Sequence, residues 1–257
     1  MQLDQKIFEE KVGSKWYKYI HRFFTSKEAY DIYQVIKSDA GTDFITPASE
    51  DTWKFLKNSD PDNIKVLMLL TDSYSGCYTK PTKYKKGLFH STGIPLDCSN
   101  TPDGKIQGAL TEFWNGISAE LNDDLPKEKS LQFLIDQGLF LGNRGITCKL
   151  FKGESHIPLW DYFWQVFFED FVSQHPNIPI IFCGKVAEKL KRFVAFNPIY
   201  TISHPSAAAK TGQVWNTENV FTKCNKRIKD MNGPEYQIEY NYHTYSQPIE
   251  TMDELPF

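Results

Sequence analysis

Four short apolar runs punctuate the chain: KVLMLL (65–70), GLFLGN (138–143), IPIIFC (178–183) and PIYTIS (198–203). None alternates with polar residues, which predicts strands covered on both faces, as in a parallel sheet between helical layers. Segments of helical period lie around them. WYKYIHRFF (16–24) and SKEAYDIYQVIKS (26–38) come first, with Ser26 placed to cap the second. In ITPASEDTWKFLK (45–57), Pro47 marks a loop before a further helix. QGALTEFWNGISAEL (107–121) carries Leu110, Phe113, Trp114, Ile117 and Leu121 on one stripe. LWDYFWQVFFEDFV (159–172) is apolar around most of its circumference and reads as a buried helix, and KVAEKLKRFVAF (185–196) as a basic amphipathic one. TENVFTKCNKRIKDM (217–231) turns Val220, Phe221, Cys224, Ile228 and Met231 inward. ISHPSAAAK (202–210) reads as a loop, too short for a helix. Strands alternating with helices predict a three-layer α/β/α sandwich on a central four-stranded parallel sheet. The expected domain is 1–241, with 1–60 as its N-terminal helical part and 242–257 as a flexible tail.

Composition narrows this picture only slightly. At 257 residues, 40% hydrophobic and 15% aromatic, the chain suits one domain with a large core. A net charge of −3 means that any nucleic-acid surface must be local. The five cysteines are scattered and unpaired in spacing, which argues against a disulfide framework or a zinc site and suits a reducing compartment. MQLDQKIFEEKVG has neither the basic nor the apolar part of a signal peptide, and no apolar run reaches membrane-spanning length. A cytoplasmic, monomeric protein that is not secreted and has no membrane association is the expectation.

The chemistry concentrates just past the strands. Thr71, Asp72, Ser73 and Tyr74 follow the first, Asn143 ends the second, Gly184 and Lys185 follow the third, and His204, Pro205 and Ser206 follow the fourth. Ligands of open parallel sheets bind at the carboxyl ends of strands. A carboxylate, a carboxamide, a glycine turn with a cation and an imidazole are thus expected on one rim.

In this order the motifs resemble those of the uracil-DNA glycosylase family, over roughly residues 14 to 240. TDSYS (71–75) matches the family's Gln-Asp-Pro-Tyr-His element, and LFLGN, ending at Asn143, its Leu-Leu-Leu-Asn strand. Ser155, His156 and Trp160 match its Ser-His before a tryptophan helix. Cys183, Gly184 and Lys185 match its Trp-Gly-Ser turn, and HPSAAA (204–209) its His-Pro-Ser-Pro-Leu-Ser loop. The resemblance implies a metal-free, cofactor-free DNA glycosylase that flips a base out of the stack and leaves an abasic site. In that role Asp72 stabilises the cationic sugar and orients water, while neutral His204 donates to the departing base. Asn143 reads the pyrimidine edge, and Tyr74 excludes a 5-methyl group. Gly184, Lys185, Pro205 and Ser206 contact phosphates.

The departures from the family pattern bear on specificity. Thr71 and Ser75 replace a glutamine and a histidine, and the base-stacking phenylalanine aligns with His90, or with Phe89 if the register slips by one. The segment CYTKPTKYKK (77–86) lengthens the loop before Gly87. Its Lys80, Lys83 and Lys85 are expected either as a solvated surface or as an added DNA contact. Ala208 stands where the family places a wedge-forming leucine, so single strands are expected to be preferred. Uracil or a related modified pyrimidine is the expected base; the alternatives are a glycosylase specific for a hypermodified pyrimidine and a non-catalytic DNA-binding or replication-hub protein on the same fold. The terminal Glu254, Leu255, Pro256 and Phe257 resemble the acidic tip of bacterial single-stranded-DNA-binding proteins, which implies docking to replication or repair proteins and a bacterial or bacteriophage setting.

Overall fold

The structure, a computed structural model, describes residues 5–246. Four parallel strands form the central sheet: β1 (Val66–Asp72), β2 (Leu139–Gly145), β3 (Ile180–Cys183) and β4 (Ile199–Ile202). Their spatial order is β2-β1-β3-β4. The register sets Leu70 beside Asn143, Asp72 beside Gly145 and Cys183 beside Ile202.

The pleat divides the apolar runs between two cores, because successive side chains point to opposite faces. Val66, Met68, Leu70, Leu139, Leu141 and Ile181 join the cluster under two helices, Gly108–Leu121 and Val220–Asn232. Leu67, Leu69, Phe140, Ile180 and Phe182 join the other, under Ser14–Phe24 and Asp161–Asp170. This is the α/β/α sandwich expected from the alternation. On the second face Trp16 packs on Phe140, Phe167 and Phe171, and its indole N–H donates to the Ser59 carbonyl at 2.9 Å. The N-terminal helices therefore belong to the same core as the sheet. Ser26 caps Lys27–Ala40 as its position predicts, accepting the Ala29 N–H at 3.1 Å.

Several elements differ from the sequence reading. β1 and β2 run two residues further than their apolar cores, so Asp72 lies within a strand and Asn143 two residues before a strand's end. Parallel pairing holds the backbone through those polar positions. β4 is an edge strand with Ile199, Tyr200 and Thr201 only half-buried, not covered on both faces. The basic segment after β3 is helical only over Gly184–Glu188, continues as a tighter turn over Lys189–Phe193, and leaves Phe196 exposed.

ISHPSAAAK is not a loop: Pro205–Thr211 forms a helix. Pro205 sits at its first position, where no N–H is required, and the alanines have the highest helix propensity of any residue. Gly212, in the left-handed conformation, ends it. The expected tail begins with structure too, since Tyr242–Ser246 is helical and sets the Tyr242 and Tyr245 rings 5.2 and 5.7 Å from that of Phe133. Glu254, Leu255, Pro256 and Phe257 lie outside the described residues. Among the described residues no helix is long and apolar enough to cross a membrane.

Candidate active site

A small cavity opens at the carboxyl ends of β1, β2 and β4, lined by Leu70, Asp72, Tyr74, Asn143 and His204, with Ser91 and Ile94–Leu96 as its remaining wall. Larger cavities exist elsewhere, but they do not gather this set of a carboxylate, a carboxamide and an imidazole. Among the described residues no cluster of His, Cys, Asp or Glu is arranged to hold a metal ion.

Asp72 closes β1 with its carboxylate largely buried. Desolvation pushes its pKa up to about 6, against the opposing effect of one backbone hydrogen bond and with a smaller push from the Glu154 charge. That bond comes from the Glu154 N–H, 2.6 Å from Oδ2. Glu154 and Phe151, both at left-handed φ of 63°, shape the turn that delivers it. The turn is tied to the same rim by the Phe151 N–H, which donates to the Ser75 carbonyl at 2.6 Å.

His204 caps the Pro205–Thr211 helix with its side chain. The Ser206 N–H donates to Nδ1 at 3.1 Å, and the Ser206 hydroxyl lies 2.8 Å from the same atom. Nδ1 therefore accepts, and the ring proton sits on Nε2. Burial, helped by the Lys210 charge, lowers the imidazole pKa to about 4. His204 is thus a neutral donor over the physiological range. Gly184 makes room for it: φ is +86°, and a Cβ there would lie 3.1 Å from the His204 Cβ.

Asn143 is 9% exposed, and its carboxamide has no hydrogen-bond partner among the described residues, leaving a donor and an acceptor for a ligand. Its backbone is held firmly. The Trp164 indole donates to the Asn143 and Arg144 carbonyls at 3.2 and 3.0 Å. Arg144 in turn makes a two-pronged pair with Asp161 at 2.8 Å and donates to the Val186 carbonyl. Tyr74 is anchored by its hydroxyl, which donates to the Leu96 carbonyl at 3.3 Å.

Other residues from the sequence reading fall away from the cavity. Phe89 packs with Ala48 and Leu150. His90 lies on the Tyr78 ring, 4.3 Å between centroids. Neither aromatic candidate lines the cavity; Ser91, the next residue, does. Thr71 and Ser75 flank Asp72 and Tyr74 without lining the cavity. His156, 1% exposed, bridges Thr147 and Asp39 at 2.9 and 3.1 Å, which ties Lys27–Ala40 to the loop after β2. Lys185 is exposed at the start of its helix. Pro205 is buried, and Ser206 spends its hydroxyl on His204. Ala208 packs half-buried on the core, and Ala209 leaves 3.2 Å to a Cβ built on Gly108, so two helices meet through small residues. Lys80, Lys83 and Lys85 stand on a hairpin outside the cavity. Sequence reasoning missed the Ile94–Leu96 wall and the Glu154 N–H, because backbone donors and loop carbons carry no signature in side-chain identity.

Fold and rim together define an α/β/α domain that gathers a carboxylate, a carboxamide and a neutral imidazole at the carboxyl end of its sheet. No family model matches the chain. Among curated proteins it is similar to uracil-DNA glycosylase 1 of Bacteroides fragilis, 24% identical over 223 residues that cover 85% of this chain and 94% of that protein. The uracil-DNA glycosylase of Agathobacter rectalis is 24% identical over 235 residues, 89% of this chain and 98% of that one. Among solved structures, mimivirus uracil-DNA glycosylase superposes with a TM-score of 0.76 at 18% identity, covering 93% and 90% of the two chains. A mimivirus variant in complex with UGI gives the same TM-score, 0.76, with 93% and 92% covered at 18% identity. The chain is thus similar along most of its length to curated uracil-DNA glycosylases, and it shares the fold of a solved one.

Proposed function

We propose that this protein hydrolyses the N-glycosidic bond of uracil in DNA and leaves an abasic site. One observation carries the reading: Asp72, Asn143 and His204 line a single small cavity, and the imidazole is neutral with its proton on the nitrogen that Ser206 leaves free. The base must leave the stack to enter such a cavity. Asn143 meets the pyrimidine edge with one donor and one acceptor, and the Tyr74 ring walls the site against bulk on the base. As the bond between sugar C1′ and the base nitrogen breaks, its electron pair goes to the base. His204 Nε2–H donates to the oxygen where that charge collects, without passing its proton on. Asp72, ionised above pH 6, offsets the positive charge developing on the sugar. Water adds to C1′ and loses a proton, and the expelled base is protonated afterwards.

A DNA substrate and five free cysteines suit a reducing cytoplasm. Ala208 bears on strand preference. Its methyl group packs on the core, so this position holds no bulky side chain to fill the gap behind a flipped base. Single-stranded uracil DNA is therefore the better substrate in this reading.

The test is excision from labelled oligonucleotides carrying uracil, 5-hydroxymethyluracil or modified cytosines, single-stranded and duplex, scored as abasic sites. The expected result is cleavage of uracil DNA, faster in single strands, and its loss in Asp72→Asn. Cleavage confined to a modified base would overturn the substrate, and binding without any abasic product would overturn the enzymatic reading.

A further inference from the structure

Between two residues that line the cavity, Tyr74 and Ser91, the chain leaves the rim and returns as a hairpin. Cys77–Thr79 pairs antiparallel with Leu88–Phe89, and Thr82 bridges Lys85 at the tip. The Thr82 hydroxyl oxygen accepts the N–H groups of Tyr84 and Lys85 at 3.3 and 3.1 Å, so the tip is an ordered turn. This ordered turn displays Tyr84 at 91% exposure, the highest of the large hydrophobic side chains among the described residues. Lys83 stands over the ring, with its Nζ 5.8 Å from the centroid.

The charge around it is one-sided. No acidic residue occurs between Asp72 and Asp97. Lys86 pairs with Glu50, but Lys80, Lys83 and Lys85 are exposed and make no ion pair among the described residues. An aromatic ring held in water beside three uncompensated cations serves no packing role. It matches the combination that binds nucleic-acid strands, with ring faces for bases and ammonium groups for phosphates.

We propose that the hairpin is a second DNA contact, in which Tyr84 stacks on a base flanking the target nucleotide and Lys80, Lys83 and Lys85 neutralise phosphates. This rests on the reading that DNA is the substrate. The leg from Gly76 to Thr82 spans at most about 20 Å at roughly 3.3 Å per residue. With about 3.4 Å between successive nucleotides, the contact falls within about six nucleotides of the flipped base, on one side only. It holds the strand without filling the space behind the flipped base, so it compensates in affinity for the small residue at Ala208.

Binding of a labelled single strand with a central non-hydrolysable abasic analogue, followed by fluorescence anisotropy, tests this without cleavage. Tyr84→Ala weakens binding about tenfold and Tyr84→Phe by less than about twofold, because stacking needs the ring and not the hydroxyl. Each of Lys83→Ala and Lys85→Ala reduces the slope of log affinity against log salt by about 0.7. Trimming one flank, and not the other, to below about six nucleotides erases the Tyr84→Ala difference. Wild-type affinity in Tyr84→Ala, or equal losses in Tyr84→Ala and Tyr84→Phe, would overturn the proposal. If the wild type excises uracil while hairpin variants bind normally, the hairpin contact alone fails. If nothing is excised but Tyr84→Ala still weakens binding, the contact stands and the enzymatic reading falls.

Discussion

Ser206 directs its backbone N–H to Nδ1 of His204 at 3.1 Å and holds its hydroxyl 2.8 Å from the same atom. One contact does two jobs. It caps the Pro205–Thr211 helix, and it leaves the ring's only proton on the nitrogen free to face a ligand. Removing the hydroxyl in Ser206→Ala keeps the backbone donor. Turnover is expected to fall about fivefold, in line with one lost hydrogen bond of about 1 kcal/mol. His204→Ala removes the proposed donor to the departing base and is expected to cost about a hundredfold or more in kcat. Single-turnover excision of both variants separates the two effects.

The pH dependence follows from two groups shifted in opposite directions. In the proposed mechanism Asp72 acts ionised and His204 acts neutral; the first titrates at about 6 and the second at about 4. Excision is therefore expected to rise through pH 6 and then stay flat, since His204 has already lost its extra proton. The rise should persist in His204→Ala. A second inflection near pH 6.5 that disappears in His204→Ala would show that the imidazole is protonated in the working range.

Asp72 also carries a stability cost. Its pKa is higher in the folded chain than in the unfolded one, so the folded state binds that proton more tightly. The stabilisation is complete below the unfolded value and disappears as pH rises through about 6. At pH 8 the buried carboxylate costs at most about 3 kcal/mol. Asp72→Asn keeps an acceptor for the Glu154 N–H and removes the charge. It is expected to be inactive yet more resistant to urea at pH 8 than the wild type, with the difference vanishing below pH 4. His204 has the opposite sign: its depressed pKa contributes stability above about pH 6.5 that is lost as pH falls through about 4.

Gly184 serves His204 from the neighbouring strand end. Its φ of +86° disfavours any L side chain, and an added Cβ would press on the His204 Cβ at 3.1 Å. Gly184→Ala is expected to destabilise the fold by about 1 to 2 kcal/mol. Because the clash falls on the Cβ that carries the imidazole, kcat should drop by more than DNA affinity. A thermal melt and a KM-against-kcat comparison check both.

Tyr74 is the test of base selection. Its ring lines the cavity and its hydroxyl holds the Leu96 carbonyl, so Tyr74→Ala opens space on one wall. Thymine excision by the variant and not by the wild type is the expected outcome, measured on oligonucleotides that differ only in the 5-methyl group. A variant that excises uracil and still rejects thymine would place the barrier elsewhere.

What the sequence determined by itself was the layered fold and the rim. Unbroken apolar runs at 65–70, 138–143 and 178–183 must be covered on both faces, and alternation with helices leaves few topologies. Asp72, Tyr74, Asn143 and His204 were legible because strand ends converge whatever the loops do. That Phe89 and His90 both stand outside the cavity was not. Phe89 and His90 differ by one residue, and one residue of register turns a side chain to the opposite face, which only the pairing with Cys77–Thr79 decides. ISHPSAAAK looked like a bland loop because its cap is a histidine and its packing partner, Gly108–Leu121, lies far away in sequence. The pKa values of Asp72 and His204 were equally invisible, since burial is a property of the surroundings and not of the residue. Side-chain type along the chain settled which chemistry was present, and tertiary packing settled which groups met, in which charge state, and which way the imidazole proton pointed.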